Sequence, residues 1–184
     1  MNGLGRNGAG DWGRCGMDDR SKAGQIALLP MTRELYHTMY RHFENDPDIF
    51  MDMSLFKPFA YDPEWVERYI DKQERQRNVV FAIMCEGKGV GEVKLKNIDR
   101  ERHMCRLGIH LQNDGVKNRG IGTRAEKLAV QYAFDELGMD AVEADAVLKN
   151  ARSQHVLEKV GFRPVGQDET YKYYRIDRRD SVAP

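Results

Sequence analysis

The residues of this 184-residue sequence with the clearest potential for chemistry form a short glycine-containing segment, residues 117–125 (KNRGIGTRA). Gly120 and Gly122 flank one apolar residue just before an amphipathic pattern, so the backbone can turn tightly and present successive N–H groups. These groups lie at a predicted helix N-terminus, where the helix dipole adds about half a positive charge. A phosphate or pyrophosphate is the natural ligand of such a segment, and its three basic side chains add positive charge.

Several kinds of site share parts of this pattern. A P-loop requires Gly-Lys-Ser/Thr, but Gly122 is followed by a threonine and an arginine. The dinucleotide-binding pattern G-x-G-x-x-G/A is formally matched by Gly120, Gly122 and Ala125. However, residues 112–119 separate the preceding strand from the first glycine, and too short a chain follows for a doubly wound nucleotide domain. An ordinary helix start with flexible glycines is the purely structural interpretation.

The elements that must position this segment follow from hydrophobic periodicity and from capping residues. Strands are predicted at residues 26–29, 79–85, 90–98, 103–111, 141–148, 162–165 and 171–176. Helices are predicted at residues 32–44, 62–75, 120–137 and 151–160. The order β-α-α-β-β-β-α-β-α-β-β indicates an α/β (α+β) fold, with a mixed sheet of about six to seven strands flanked by four helices.

Length and composition indicate one globular domain, which we place at residues 25–184. Residues 1–24 hold seven of the seventeen glycines and lack apolar periodicity, so a flexible tail is predicted there. The 29 basic and 29 acidic residues balance, whereas a nucleic-acid-binding protein normally has a basic surplus. No apolar run approaches the roughly 20 residues of a membrane span.

The three cysteines, Cys15, Cys85 and Cys105, are odd in number and lack the CxxC spacing of zinc ribbons and redox motifs. A disulfide framework is therefore not expected, and the pattern is typical of a reducing cytoplasm. The sequence predicts a cytoplasmic protein without a metal site and without a nucleic-acid or membrane partner.

Three blocks of sequence together resemble the GNAT acetyltransferases, and most closely the RimJ/RimL type of ribosomal-protein N-terminal acetyltransferase. They are residues 119–125 (RGIGTRA), 132–138 (YAFDELG) and 150–162 (NARSQHVLEKVGF). The resemblance extends from about residue 25 to residue 176 and implies the GNAT fold. One departure is Lys117, which stands where the family's pyrophosphate motif usually has Arg or Gln.

The resemblance implies acetyl-CoA as cofactor, with its pyrophosphate on the glycine segment. It also implies that strand 103–111 separates from strand 141–148, so that backbone N–H groups near residues 109–111 bind the pantetheine arm. Asn150 is expected either to contact the cofactor or only to cap the following helix. The cofactor-binding residues expected are Ile109, His110, Leu111, Lys117, Asn118, Arg119, Gly120, Ile121, Gly122, Thr123 and Asn150.

The resemblance further implies direct attack of an amine on the thioester in a ternary complex. Many family members have a tyrosine as general acid where this chain has Leu157, which leaves Ser153 as the candidate acid. His110 and Glu92 are candidate bases, although Glu92 shares one strand face with Lys94 and Lys96, a pattern typical of a solvated face. Glu143 and Asp145, or a water molecule, are further possibilities for the base.

The sequence offers no obvious strong general base, and this bears on which amine accepts the acetyl group. An α-amine is about one-tenth neutral at pH 7, whereas a lysine-like amine is neutral only about once in 10³ molecules. A protein N-terminal α-amine is therefore the predicted acceptor. The acidic residues of segment 44–52 would attract a cation, which keeps a polyamine or a basic peptide open as acceptor. The alternative enzyme function is acetylation of a small amine such as a polyamine or an aminoglycoside. A non-catalytic acyl-CoA-binding module is the alternative of another class, and a homodimer is possible.

Overall fold

The computed structural model describes residues 25–181, which form seven strands and five helices. The predicted tail at residues 1–24 lies outside the described residues. The strands are β1 (Ile26–Pro30), β2 (Val79–Cys85), β3 (Lys88–Asp99), β4 (Met104–Leu111), β5 (Ala141–Val147), β6 (Arg163–Gln167) and β7 (Tyr171–Asp177). The helices are α1 (Arg33–Tyr40), α2 (Pro63–Arg75), α3 (Ile121–Asp135), α4 (Ala151–Val160) and α5 (Arg178–Ser181).

The strands form one sheet in the order β1-β2-β3-β4-β5-β7-β6. Only β4 and β5 are parallel among these neighbours, and they pair over just three residues, from Met104 opposite Ala141 to Arg106 opposite Glu143. Beyond that point β4 remains paired with β3, and β5 remains paired with β7. The sheet therefore opens between its two halves, as the resemblance implies.

Helices cover both faces of the first half of the sheet. Val93 of β3 packs in the main apolar cluster with Ile121 and Ala125 of α3. Its neighbour Glu92 instead bonds to Tyr69 of α2. Because successive strand residues point to opposite faces, α3 and α2 lie on opposite sides of the sheet. A second apolar cluster joins α1 to α2.

The predicted helix termini agree with local capping chemistry. Thr32 caps α1 by accepting a hydrogen bond from the Leu35 N–H (3.2 Å). Asp62 caps α2 by accepting one from the Glu64 N–H (2.9 Å), with Pro63 in the first turn. Gly161 ends α4 at φ 113°, a conformation that strains residues with a side chain.

Two features differ from the sequence prediction. Helix α1 ends at Tyr40 rather than near Glu44, because the Glu44 N–H donates to the carbonyl of Gln112 (2.8 Å) and draws the chain toward the loop after β4. A fifth, single-turn helix follows β7, where the Arg178 N–H donates to the carbonyl of Asp140 (2.8 Å). The predicted fold class and element order are otherwise confirmed.

Within residues 25–181, no helix has the length and apolar character needed to cross a bilayer.

Candidate active site

The glycine segment forms a sharp turn into the N-terminus of α3. Asn118 and Gly120 both adopt left-handed backbone conformations, with φ values of 58° and 79°. Gly120 is the N-cap residue and offers no side chain to bond the first-turn N–H groups. Donors at the start of a 15-residue helix therefore face a potential anionic ligand.

A cavity of about 360 Å³ lies beside this turn, within the size range of small-molecule binding clefts. It is lined by most of the residues expected to bind the cofactor: Ile109, His110, Leu111, Lys117, Asn118, Gly120, Gly122, Thr123 and Asn150. Arg119 and Ile121 do not line it, and the Ile121 side chain is buried in the apolar core. Any contribution of Ile121 to binding therefore comes from its backbone.

A second cavity, of about 220 Å³, lies where β4 and β5 diverge. Four residues line both cavities: Ile109, His110, Glu126 and Ser153. Beyond Arg106, the edge of β4 that faces this opening has no strand paired with it. The arrangement fits an extended acyl carrier that lies against the glycine turn and reaches into the opening of the sheet.

The two candidate bases lie close together, and His110 is the one that lines both cavities. His110 Nε2 is 3.6 Å from Glu92 Oε1 and 3.3 Å from the Tyr40 hydroxyl. Burial lowers the pKa of His110 and the charge of Glu92 raises it. Burial is the larger effect, so the pKa of His110 lies below its usual value of 6.5. The imidazole is therefore neutral near pH 7 and can accept a proton.

Glu92 does not lie on a solvated strand face, and that expectation was wrong. Its side chain is fully buried because α2 covers this part of β3. The Tyr69 hydroxyl and the Lys94 ammonium both donate to Glu92 Oε1, and Lys94 also donates to the Tyr69 hydroxyl (2.8 Å). Among the described residues, Glu92 Oε2 has no hydrogen-bond partner. The alternation of residues along β3 could not by itself show that α2 covers this face of the strand.

Replacing Tyr69 with Phe tests this buried network. The change removes one donor to a buried carboxylate, so we expect a loss of about 1–3 kcal/mol in the free energy of unfolding, measured by urea denaturation. Tyr173→Phe is the matched control, because the Tyr173 hydroxyl donates to the exposed Asp168. Removing that hydroxyl should lower the free energy of unfolding much less. Equal losses in the two variants would show that Glu92 does not depend on Tyr69.

Two of the four acidic residues in the segment predicted to attract a cationic acceptor, Asp46 and Asp48, form ion pairs within the protein. Asp46 Oδ2 lies 2.7 Å from Lys117 Nζ, and Asp48 Oδ2 lies 2.8 Å from an Arg152 guanidinium nitrogen. Burial opposes ionisation of Asp46, but hydrogen bonds from Lys117 and the Asp48 backbone bring its pKa below the usual value. Asp114 also contacts Lys117 (2.7 Å). Asp46 and Asp48 thus tie the segment to the glycine turn and to α4, while no ion pair is formed by Glu44 or Asp52 among the described residues.

Asn150 and Ser153 share one local structure at the start of α4. Asn150 Oδ1 accepts a hydrogen bond from the Ser153 N–H (3.0 Å), so Asn150 does cap this helix. Both residues also line the larger cavity. The capping and ligand-binding interpretations of Asn150 are therefore compatible, and the role of Ser153 as an acid stays a prediction.

Glu126, which the sequence interpretation missed, is the second buried carboxyl at the opening. It projects from α3 and is 1% exposed, and its Oε2 has no hydrogen-bond partner in the part of the chain that the structure describes. Burial raises the pKa of Glu126 to about 8. One sequence signal was available: Gly122, Ala125, Ala129 and other small or apolar residues surround this glutamate on the helix face.

The raised pKa of Glu126 predicts a pH dependence of stability. The folded state holds this proton up to about pH 8, whereas an ordinary glutamate loses it near 4.5. The folded state therefore binds more protons than the unfolded state between these two pH values. The free energy of unfolding should consequently fall as pH rises, by up to about 1.4 kcal/mol per pH unit. Chemical denaturation of wild type and Glu126→Gln from pH 5 to 9 measures this.

Glu136→Gln, on the exposed end of the same helix, is the control and should keep the wild-type dependence. A Glu126→Gln variant with an unchanged stability profile would contradict the assignment of this slope to Glu126.

Gly122 allows a direct test of the glycine turn. A Cβ at this position would meet no atom within 4 Å, and the residue lines the larger cavity. Gly122→Val should therefore fold normally and raise the Kd for coenzyme A more than tenfold, which titration calorimetry can measure. Gly166→Val is the matched control, since its Cβ also enters open space but far from the cavity. Unchanged affinity in Gly122→Val would refute the binding site.

Comparison with known proteins agrees with this geometry. The family model for the acetyltransferase (GNAT) domain matches residues 25–163. The chain belongs to the GNAT acetyltransferase family. The resemblance stated from sequence is thereby confirmed, and with it the expectation of acetyl-CoA as the cofactor.

Relatives in this family have different stated substrates. "Putative ribosomal N-acetyltransferase YdaF" of Bacillus subtilis (strain 168) is 27% identical over 120 residues, which cover 65% of this chain but only 63% of that protein. Spermidine N(1)-acetyltransferase of Escherichia coli (strain K12) is 25% identical over 147 residues, 79% of this chain and 76% of that protein.

The fold agrees with a solved GNAT structure. Spermidine N-acetyltransferase from Vibrio cholerae, crystallised with CoA and spermine, superposes with a TM-score of 0.71. The superposition covers 86% of this chain and 99% of that chain at 17% sequence identity. This likeness concerns the fold alone.

Proposed function

We propose that this protein transfers the acetyl group of acetyl-CoA to a primary amine of a small molecule, with polyamines as the substrate class to test first. The observation that carries the transfer reaction is that the two cavities share four lining residues beside the opening between β4 and β5, with His110 among them. Acetyl-CoA would supply an activated thioester there, and no metal is required for that chemistry.

In this proposal each step uses a chemical group that the fold already holds in position. The glycine turn and the start of α3 bind the pyrophosphate, and the unpaired edge of β4 orients the acyl arm. His110, with neutral imidazole, accepts the proton that the attacking amine loses. Glu92 orients His110 and stabilises its positive charge after proton transfer.

The choice of a small amine as acceptor, in place of the α-amine predicted from sequence, has two supports. The Escherichia coli relative that covers most of this chain is a spermidine acetyltransferase. The argument for an α-amine depended on the absence of a base, whereas His110 and Glu92 lie together beside the opening. A peptide N-terminus remains the second candidate because the ribosomal N-acetyltransferase relative favours it.

Release of free thiol from acetyl-CoA tests the proposal. We expect kcat/KM at least tenfold higher with spermidine than with a peptide bearing a free N-terminus. The opposite order would identify the second candidate as the substrate class. Binding of coenzyme A without thiol release from either acceptor, or from an aminoglycoside, would indicate a non-catalytic acyl-CoA-binding module and refute the proposal.

Replacing His110 with Gln tests the base. We expect kcat to fall about 10²-fold with little change in the Kd for coenzyme A, since a positioned base contributes about that factor. His42→Gln is the control, because that side chain is exposed and lines neither cavity. Activity of His110→Gln equal to that of the control would remove His110 from the mechanism.

Three further parts of the proposal concern the whole protein. Residues 25–184 form the catalytic domain, the protein works in the cytoplasm, and two copies associate as a homodimer. A dodecameric structure of the Vibrio cholerae spermidine N-acetyltransferase shows that a protein of this fold can assemble. Light scattering of the purified chain measures its own assembly.

A further inference from the structure

The opening of the sheet is bordered by few groups that could give up a proton. Of the four residues that line both cavities, three carry a titratable or hydroxyl side chain: His110, Glu126 and Ser153. His110 is the proposed base and must begin the reaction without a proton to give. Lys94 and Lys96 line only the smaller cavity, so the candidate donors among the residues that border both cavities are Glu126 and Ser153, with water as the alternative.

Glu126 has the features of a group kept for a ligand. A buried carboxyl without a hydrogen-bond partner costs stability, and α3 would lose nothing in packing if an apolar residue stood there. Its Oε2 is nevertheless unpartnered among residues 25–181, and Glu126 lines both cavities. Leu157, which lines the smaller cavity from α4, has no proton to offer.

We propose that Glu126 is the general acid of the reaction and protonates the sulfur of the departing thiolate. This inference rests on the proposed acetyl transfer.

The protons of this step balance with groups that the protein and solvent supply. The amine nitrogen attacks the thioester carbonyl carbon, so a C–N bond forms and the C–S bond breaks with its electron pair passing to sulfur. His110 removes the proton that the nitrogen loses, and Glu126 gives its own proton to the sulfur. The Glu126 carboxylate regains a proton from solvent, and His110 returns one, so that the enzyme is restored.

Acidity favours Glu126 over Ser153 as the donor. A general acid works best when its pKa lies near that of the group it protonates and near the working pH. Burial raises the pKa of Glu126 to about 8, close to the ordinary thiol value of about 8.5. A serine hydroxyl is a far weaker acid than a thiol, so it would give up its proton to a thiolate reluctantly.

Other charged groups also border the cavities. The smaller one is lined by Lys94 and Lys96 of β3 and by Asp145 of β5, with His110 of β4. The larger one is lined by Glu44, Asp46 and Lys117 in loops and by Arg152, His155 and Lys159 at α4. Burial, rather than any of these charges, is the cause of the raised carboxyl pKa.

The first experiment does not depend on turnover. In ¹³C NMR of the full-length protein labelled at glutamate carboxyl carbons, we expect one resonance that titrates near pH 8 and is absent from Glu126→Gln. This resonance should move when coenzyme A is added, but much less with desulfo-coenzyme A, which lacks the sulfur. Equal responses to the two ligands, or no titration above pH 7, would overturn the proposal.

The second experiment measures catalysis. Glu126→Gln preserves shape and hydrogen bonding but cannot give a proton, so kcat should fall at least tenfold while the Kd for coenzyme A changes less than twofold. The loss of wild-type kcat above pH 8 should disappear in this variant. Glu136→Gln is the control, with wild-type kcat.

Two results would contradict the acid role. If Glu126→Gln weakens coenzyme A binding as much as it lowers kcat/KM and keeps the wild-type pH profile, Glu126 only positions the cofactor. If Ser153→Ala loses activity while Glu126→Gln does not, Ser153 is the acid. A wild-type protein that never releases thiol would refute the proposed function instead, and the NMR comparison would still report whether Glu126 meets the sulfur.

Discussion

The central constraint in this structure is the loss of pairing between the parallel strands β4 and β5 after only three residue pairs. Each strand stays bound to its other neighbour, so the sheet remains one unit while its two halves separate. This separation leaves one edge of β4 without a strand partner and opens a space between β4 and β5. The glycine turn leads from the end of β4 into α3, and therefore borders this same space.

Burial changes the chemistry of the carboxyl groups around the opening. Glu92 and Glu126 lie on opposite faces of the sheet, beneath α2 and within α3, and neither is exposed by more than 1%. Glu92 has the Tyr69 hydroxyl and the Lys94 ammonium as hydrogen-bond donors. Glu126 has only its burial to shift its pKa, which favours its neutral form. One carboxyl is thus suited to stabilise a cation and the other to donate a proton.

Prediction from sequence succeeded where a signal is local. The cap at Asp62, the strand β2 and the helix α4 follow from capping residues and apolar periodicity within a few positions, and the structure agrees with their predicted bounds. It failed where a distant segment intervenes. The hydrogen bond from Glu44 to Gln112 shortens α1, and ion pairs engage Asp46 and Asp48, two of the four acidic residues of a segment that looked freely acidic.

By itself, the sequence determined the order of elements, the glycine turn at a helix start and the family, because these depend on neighbouring residues and on short motifs. Only the tertiary structure decided that Glu92 is buried beside His110 and that Glu126 borders both cavities. The periodicity of apolar residues along a strand or a helix indicates which residues share a face. Whether another layer covers that face depends on contacts between residues far apart in the chain, and that cover decides which groups are removed from water.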